Sequence, residues 1–134
     1  MVLDASCVVE FLLGSERGRE VEPWLEAHEG ALHAPDLLDL EVTQVLRKLE
    51  LAGFLDPGHA GAALEILQAL PIARHPALPL LPRVWGLRQN LTAYDAAYAA
   101  LAEALGCSLL SYDQRLASTP GLTIPVQAPS PPVP

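Results

Sequence analysis

Residues 92–113 read TAYDAAYAALAEALGCSLLSYD, and this stretch decides the fold class. Asp95 stands three residues after Thr92, the spacing of a helix cap. From Ala93 to Leu105 apolar residues lie almost all round the helix, and only Asp95 and Glu103 are charged. Such a helix is covered on most of its sides. Gly106 ends it, and Cys107-Ser108-Leu109-Leu110 has the character of a strand buried on both faces. Asp113 follows directly. A buried helix that feeds a buried strand is the signature of helices packed on a parallel sheet.

The rest of the chain repeats the alternation. Val2-Leu3 is a short buried strand ended by Asp4-Ala5-Ser6. Residues 7–13 predict a short helix stopped by Gly14, and residues 16–28 a charged surface helix. Ala31 to Ala34 is a second strand. A long amphipathic helix runs from Asp36 to Gly53, with Leu37, Leu38, Glu41, Val42, Val45, Leu46 and Leu49 on its inner stripe. Asp56-Pro57 opens another helix. Pro71 to Arg74 is a third strand, and residues 82–89 a short helix after a proline-rich approach. Leu122 to Ile124 is the expected last strand. Strands alternating with helices predict an α/β fold with a mostly parallel sheet. One domain is expected over residues 1–126, with residues 127–134 a proline-rich extended tail that has no core of its own.

The 134 residues suit a single domain, and 51% hydrophobic residues supply a real core. Eight basic against sixteen acidic residues give a net charge of −8, which excludes a purely electrostatic nucleic-acid binder. It leaves open a nucleic-acid enzyme whose positive charge is brought by metal ions. Cys7 and Cys107 have no metal-ligand spacing and are expected as buried thiols in a reducing cytoplasm. No leader pattern is visible, and prolines break the one long uncharged stretch, so no membrane association is expected. His28, His33, His59 and His75 show no paired spacing and are given no role in catalysis. Trp24 and Trp85 are expected as core or interface anchors.

Four carboxylates stand where apolar surroundings are expected. Asp4, Asp95 and Asp113, taken singly, are each explained as helix-capping residues. Glu41 is not. Its helical neighbours are Leu37, Leu38 and Val45, so its carboxylate lies on the inner stripe, where an unpaired charge is very costly. Arg47 and Lys48 are at the wrong spacing to pair with it. In an open parallel sheet, ligands bind beyond the carboxyl ends of the strands, at the point where strand order reverses. All four acids are expected at that edge. Four oxygen-bearing ligands suit Mg²⁺ or Mn²⁺ rather than Zn²⁺, and such an ion activates water for attack on a phosphate.

These residues resemble a family. Val2-Leu3-Asp4-Ala5-Ser6, Pro35 to Leu38 leading to Glu41 and Leu46-Arg47, Leu91 to Tyr98 through Glu103, and Leu109 to Leu116 are similar to the motifs of PIN-domain ribonucleases, above all the VapC toxins of toxin–antitoxin pairs. The resemblance spans residues 2 to about 126. It implies a three-layer α/β/α sandwich with a five-stranded parallel sheet, and a Mg²⁺- or Mn²⁺-dependent endoribonuclease. Asp4, Glu41, Asp95 and Asp113 match the acidic quartet of catalysis and metal binding. Ser6 and Ser111 match its hydroxyl positions, and Gln44 stands where the family usually has Asn. Arg115 is a further candidate, for a phosphate or a site carboxylate. The resemblance also implies an RNA substrate, a basic antitoxin partner that competes with the metal, and a homodimer, with Trp85 and Tyr98 as the expected interface.

Three other readings compete. A phosphoaspartyl enzyme also uses an acid after the first strand, but needs a late lysine, and the single lysine, Lys48, lies on the Glu41 helix. An inactive RNA-binding module of the same fold has no need of an intact quartet. A stand-alone RNA-processing nuclease shares all four acids and differs only in its partner.

Overall fold

The computed structural model describes residues 1–129. The chain runs β1 (Val2–Leu3), α1 (Ala5–Leu13), α2 (Glu16–Ala27), β2 (His33–Pro35), α3 (Leu38–Leu51) and α4 (Pro57–Ala69). It continues through β3 (Ala73–His75), a 3₁₀ turn at Leu78–Leu80, α5 (Leu81–Gly86), α6 (Ala93–Leu105), β4 (Leu109–Leu110), α7 (Gln114–Ala117) and β5 (Val126–Gln127). The five strands form one sheet in the order β3-β2-β1-β4-β5, and every pair is parallel.

The order reverses between β1 and β4. Chain connections that build outward from β1 to β3 place α1 to α4 together, and these helices pack on one another. The return crossover carries α5 and α6, and α6 lies on β1, β2 and β4. Right-handed crossovers in opposite directions put the two helix groups on opposite faces. The result is the three-layer α/β/α sandwich that the resemblance implies.

Local chemistry explains the two helices that matter most. In α6, Thr92 is the N-cap and its hydroxyl accepts from Asp95 N–H at 3.2 Å. Residues Ala96 to Ala102 are all buried, and the alanines let the helix lie close on the sheet. Gly106 closes it at φ 64, a left-handed conformation that favours glycine. Between α1 and α2 the approach is closer still. A Cβ on Gly18 would sit 2.1 Å from the Glu10 carbonyl oxygen, so only glycine allows this corner.

The sheet differs from expectation at its edges. The third strand is Ala73–His75, shifted from residues 71–74, and the last is Val126–Gln127 rather than 122–124. Gln127 therefore belongs to the sheet, and the buried Pro129 accepts a hydrogen bond from Trp24 Nε1 at 3.0 Å. The start of the expected tail is thus tied to the body, while its remainder lies outside the described residues. His33 and His75, unpaired in spacing, meet across β2 and β3 with ring nitrogens 3.0 Å apart. Tyr98 is 0% exposed, so the expected interface at Tyr98 is corrected. The helix face that carries it points into the core.

Candidate metal-binding active site

The reversal between β1 and β4 opens a crevice of about 310 Å³ at their carboxyl ends. Asp4, Glu41, Asp95 and Asp113 all line it, with Ser6, Glu10, Arg17, Val45 and Tyr112. The four acids arrive from four elements. Asp4 follows β1, Asp113 follows β4, Glu41 lies in the first turn of α3, and Asp95 in the first turn of α6.

Asp4 occupies the N-cap position of α1 but makes no side-chain cap bond. Its carbonyl oxygen accepts from Cys7 and Val8 N–H instead. Its carboxylate is held from two sides: the Ser6 hydroxyl donates to Oδ2 at 2.7 Å and the Ser111 hydroxyl donates to the same oxygen at 2.8 Å. Those hydroxyls are oriented in turn, because Ser6 Oγ accepts from Tyr112 N–H and Ser111 Oγ from Asp113 N–H. Backbone after β4 thus sets the serines, and the serines set Asp4. The capping explanation fails for Asp4 and holds for Asp113, whose Oδ1 accepts from Arg115 N–H at 2.9 Å.

Asp113 is also clamped by a guanidinium. Arg115 Nε donates to Oδ1 at 3.1 Å and Nη2 to Oδ2 at 2.8 Å. These bonds hold the Asp113 carboxyl below the usual carboxylate range. The other two acids have no such partner. Burial and the Asp4 charge push Glu41 up to about 7, with the Tyr98 hydroxyl opposing and Asp95 adding a little. Burial, then the charges of Asp4 and Asp113, raise Asp95 as well. Burial and Asp4 push the Cys7 thiol up to about 12, so it stays protonated and inert.

Glu41 is the anomaly that its apolar stripe predicts. Its Oε1 is buried without a hydrogen-bond partner, as is the Tyr98 hydroxyl; among the described residues these are the two such side-chain atoms. The Tyr98 hydroxyl faces the Glu41 carboxyl without completing a hydrogen bond. A buried polar group left so costs about 1–3 kcal/mol, more when charged. Among the described residues no basic side chain pairs with it. Arg74, the guanidinium that reaches α3, takes Asp39 in a bidentate pair instead.

A divalent cation fits this set by chemistry: four carboxylates in one crevice, all oxygen donors, one with an orphaned buried oxygen. The shell is not drawn closed in advance. Among the described residues, no group of three or more His, Cys, Asp or Glu side chains is already arranged to hold an ion. Asp113 is turned onto Arg115.

Gln44 is exposed on α3 and is not among the lining residues; Val45 is. The next helical position, not the expected amide, faces the crevice. Arg115 lines a smaller adjoining pocket with Asn90, Thr92, Asp95 and Asp113. Arg17, Glu10 and Tyr112 line the crevice and have no individual role assigned from the sequence. Arg17 stacks on the Tyr112 ring at 3.9 Å and pairs with Glu10 at 3.8 Å. Nothing local signals this, because α2 meets the β4 end only in the fold. Tyr98 lies buried behind the crevice, and its i+3 spacing from Asp95 on one helix face is its signal in the sequence.

A model of the PIN domain matches residues 1–122. The chain is 39% identical over 126 residues to "Ribonuclease VapC9" of Mycobacterium tuberculosis, covering 94% of this chain and 95% of the relative. It is 43% identical over 122 residues to "Ribonuclease VapC1" of the same organism, covering 90% and 91%. A crystal structure of PAE2754 from Pyrobaculum aerophilum superposes with a TM-score of 0.68 at 24% identity, over 93% of this chain and 81% of that one, and supports the fold alone.

Proposed function

The chain belongs to the PIN-domain family, and from that premise and the crevice chemistry we propose that it is a metal-dependent endoribonuclease, the toxin of a toxin–antitoxin pair. Relatives named VapC ribonucleases, aligned over nearly the whole of both chains, support the ribonuclease and toxin parts. One observation carries the metal: Glu41 Oε1, buried and unpartnered in a crevice with three more carboxylates.

Asp4, Glu41, Asp95 and Asp113 would hold Mg²⁺ or Mn²⁺. When bound, the ion supplies an activated water and a counter-charge for the phosphate under attack. The chain's own residues do the rest. Ser6 and Ser111 fix Asp4 Oδ2, so the central carboxylate needs no rearrangement on loading. Burial and the Asp4 charge raise the proton affinity of Glu41 in the metal-free chain, so protons would compete with a cation for its carboxylate. Arg115 neutralises Asp113, and its guanidinium would compete with a cation for that carboxylate. The RNA approaches an acidic surface, so its backbone must meet the few guanidinium groups at the crevice, Arg17 and Arg115.

The partners follow the same electrostatics. A net charge of −8 favours a basic antitoxin, and a guanidinium from it would bind the crevice carboxylates in bidentate fashion and exclude the metal. A homodimer is part of the proposal, through the apolar face of Leu78, Leu81 and Trp85, the last 68% exposed. Two free thiols support a reducing cytoplasm, and no helix among the described residues is long and apolar enough to cross a membrane. The test is cleavage of RNA by the purified protein with Mn²⁺ and after chelation. Cutting that persists in excess EDTA overturns the metal assignment. Pull-down with a basic antitoxin encoded beside it, and light scattering, test the partners.

A further inference from the structure

Tyr98 is the largest side chain sealed completely within the protein, yet its hydroxyl has no hydrogen-bond partner. The only other side-chain atom in that state among the described residues is Glu41 Oε1, and the two groups face each other. A phenylalanine would fill the same space without burying an unsatisfied hydroxyl, so packing alone does not account for tyrosine here. Tyr98 stands three residues from Asp95, so one face of α6 delivers both an acid of the crevice and this hydroxyl. Asp4 shows the complementary arrangement: its Oδ2 is already satisfied by two hydroxyls. Glu41 has one hydroxyl in place and not yet bonded.

We propose that Tyr98 is a positioning residue for Glu41, its hydroxyl donating to Oε1 of the ionised carboxylate and leaving Oε2 for the cation in the crevice. The proposal rests on the metal-binding reading of the crevice. It assigns the tyrosine hydroxyl to the loaded state and makes it a liability in the metal-free one. Outer-shell partners of this kind orient a ligand carboxylate, and their loss typically weakens metal binding about 10–100-fold.

The test uses Tyr98→Phe in the whole protein and reads Mn²⁺ affinity, melting temperature and steady-state kinetics. The expected result has three parts. Metal-free Tyr98→Phe melts at or above the wild-type temperature. Its Mn²⁺ affinity falls about tenfold. Under subsaturating Mn²⁺ its kcat falls while KM for RNA is unchanged. In a Glu41→Gln background, Tyr98→Phe has no further effect on Mn²⁺ affinity, because the acceptor it serves is gone. A metal-free melting temperature lowered by several degrees makes the hydroxyl structural and overturns the proposal. So does an unchanged Mn²⁺ affinity, or additivity with Glu41→Gln. If wild-type protein itself binds no Mn²⁺, the metal reading falls and takes the proposal with it. If wild type binds and Tyr98→Phe binds equally well, only the positioning role falls.

Discussion

The two walls of the crevice are built differently. On the strand side, Asp4 and Asp113 are held by the protein itself, Asp4 by the hydroxyls of Ser6 and Ser111 and Asp113 by Arg115. On the helix side, Glu41 and Asp95 lie half-buried with raised proton affinity, and Glu41 Oε1 has no partner. The difference follows from where each acid sits. Residues after β1 and β4 are surrounded by loop backbone and short hydroxyl side chains that reach back to them. Glu41 and Asp95 rise from regular helices whose neighbours on the same face are apolar. One wall is therefore preorganised, and the other holds unsatisfied carboxylate oxygen that the proposed cation would complete.

The largest effect should come from removing the carboxylate that the preorganised wall is built to present. Asp4→Asn is expected to lower RNA cleavage by more than about 100-fold, beyond the usual loss for an outer-shell residue. With crowding of the acids relieved, its metal-free melting temperature should not fall. A cleavage assay beside thermal melting checks both, and substantial residual activity would remove Asp4 from the centre of the site.

Next in size are the hydroxyls. Ser111→Ala should cost about 10–100-fold in activity or Mn²⁺ affinity, because it removes one of the two hydroxyls on Asp4 Oδ2 and also leaves Asp113 N–H without its acceptor. Equal activity for this variant would mean that the strand wall owes its order to backbone alone.

A smaller effect distinguishes the walls by pH. Glu41 binds its proton more tightly in the folded chain, at about 7, than in the unfolded one. Between its ordinary value and about 7 the folded state carries more protons, so metal-free stability falls as pH rises through that window and levels off above it. Glu41→Gln removes this decline. It should melt higher than wild type at pH 8 without metal, by roughly 4 °C for each kcal/mol relieved, and the gap should close toward pH 4. Melting curves across pH check this, and parallel profiles would show that Glu41 is not desolvated in solution.

The smallest effect is on the clamped acid. The Asp113 carboxyl is held below its usual value, so its contribution to stability is present above that value and is lost as pH falls through the lower one. Arg115 is 86% exposed, so solvent and salt screen the pair and it contributes little to stability. Arg115→Gln should therefore change the melting temperature at pH 7 only slightly, with the difference vanishing in acid. Its Mn²⁺ affinity should rise a few-fold, since no guanidinium has to be displaced. Weaker Mn²⁺ binding would instead give Arg115 a direct part in shaping the site.

Much of this was legible in the residues. The alternation of buried runs and amphipathic helices dictates an α/β sandwich, and Thr92 and Gly106 mark the ends of α6. Glu41 betrays itself because a charge on an apolar helical stripe has few explanations. These are local features, written in spacings of three and four residues. What the sequence could not settle depends on contacts between distant segments. Strands of two or three residues carry too little periodicity to fix their register, so β3 and β5 lie later in the chain than their apolar runs suggest. His33 and His75 become a pair only through the parallel register of β2 and β3. The helical stripe is wide enough to admit either residue 44 or 45 at the crevice, and the packed fold places Val45 there. Tyr98 has the composition of an interface residue, and only the packing of α6 against the sheet turns it inward toward Glu41. Which acids are satisfied and which are left wanting was likewise decided by tertiary structure, because hydrogen-bond partners such as Ser111 for Asp4 are separated by most of the chain and meet only where strand order reverses.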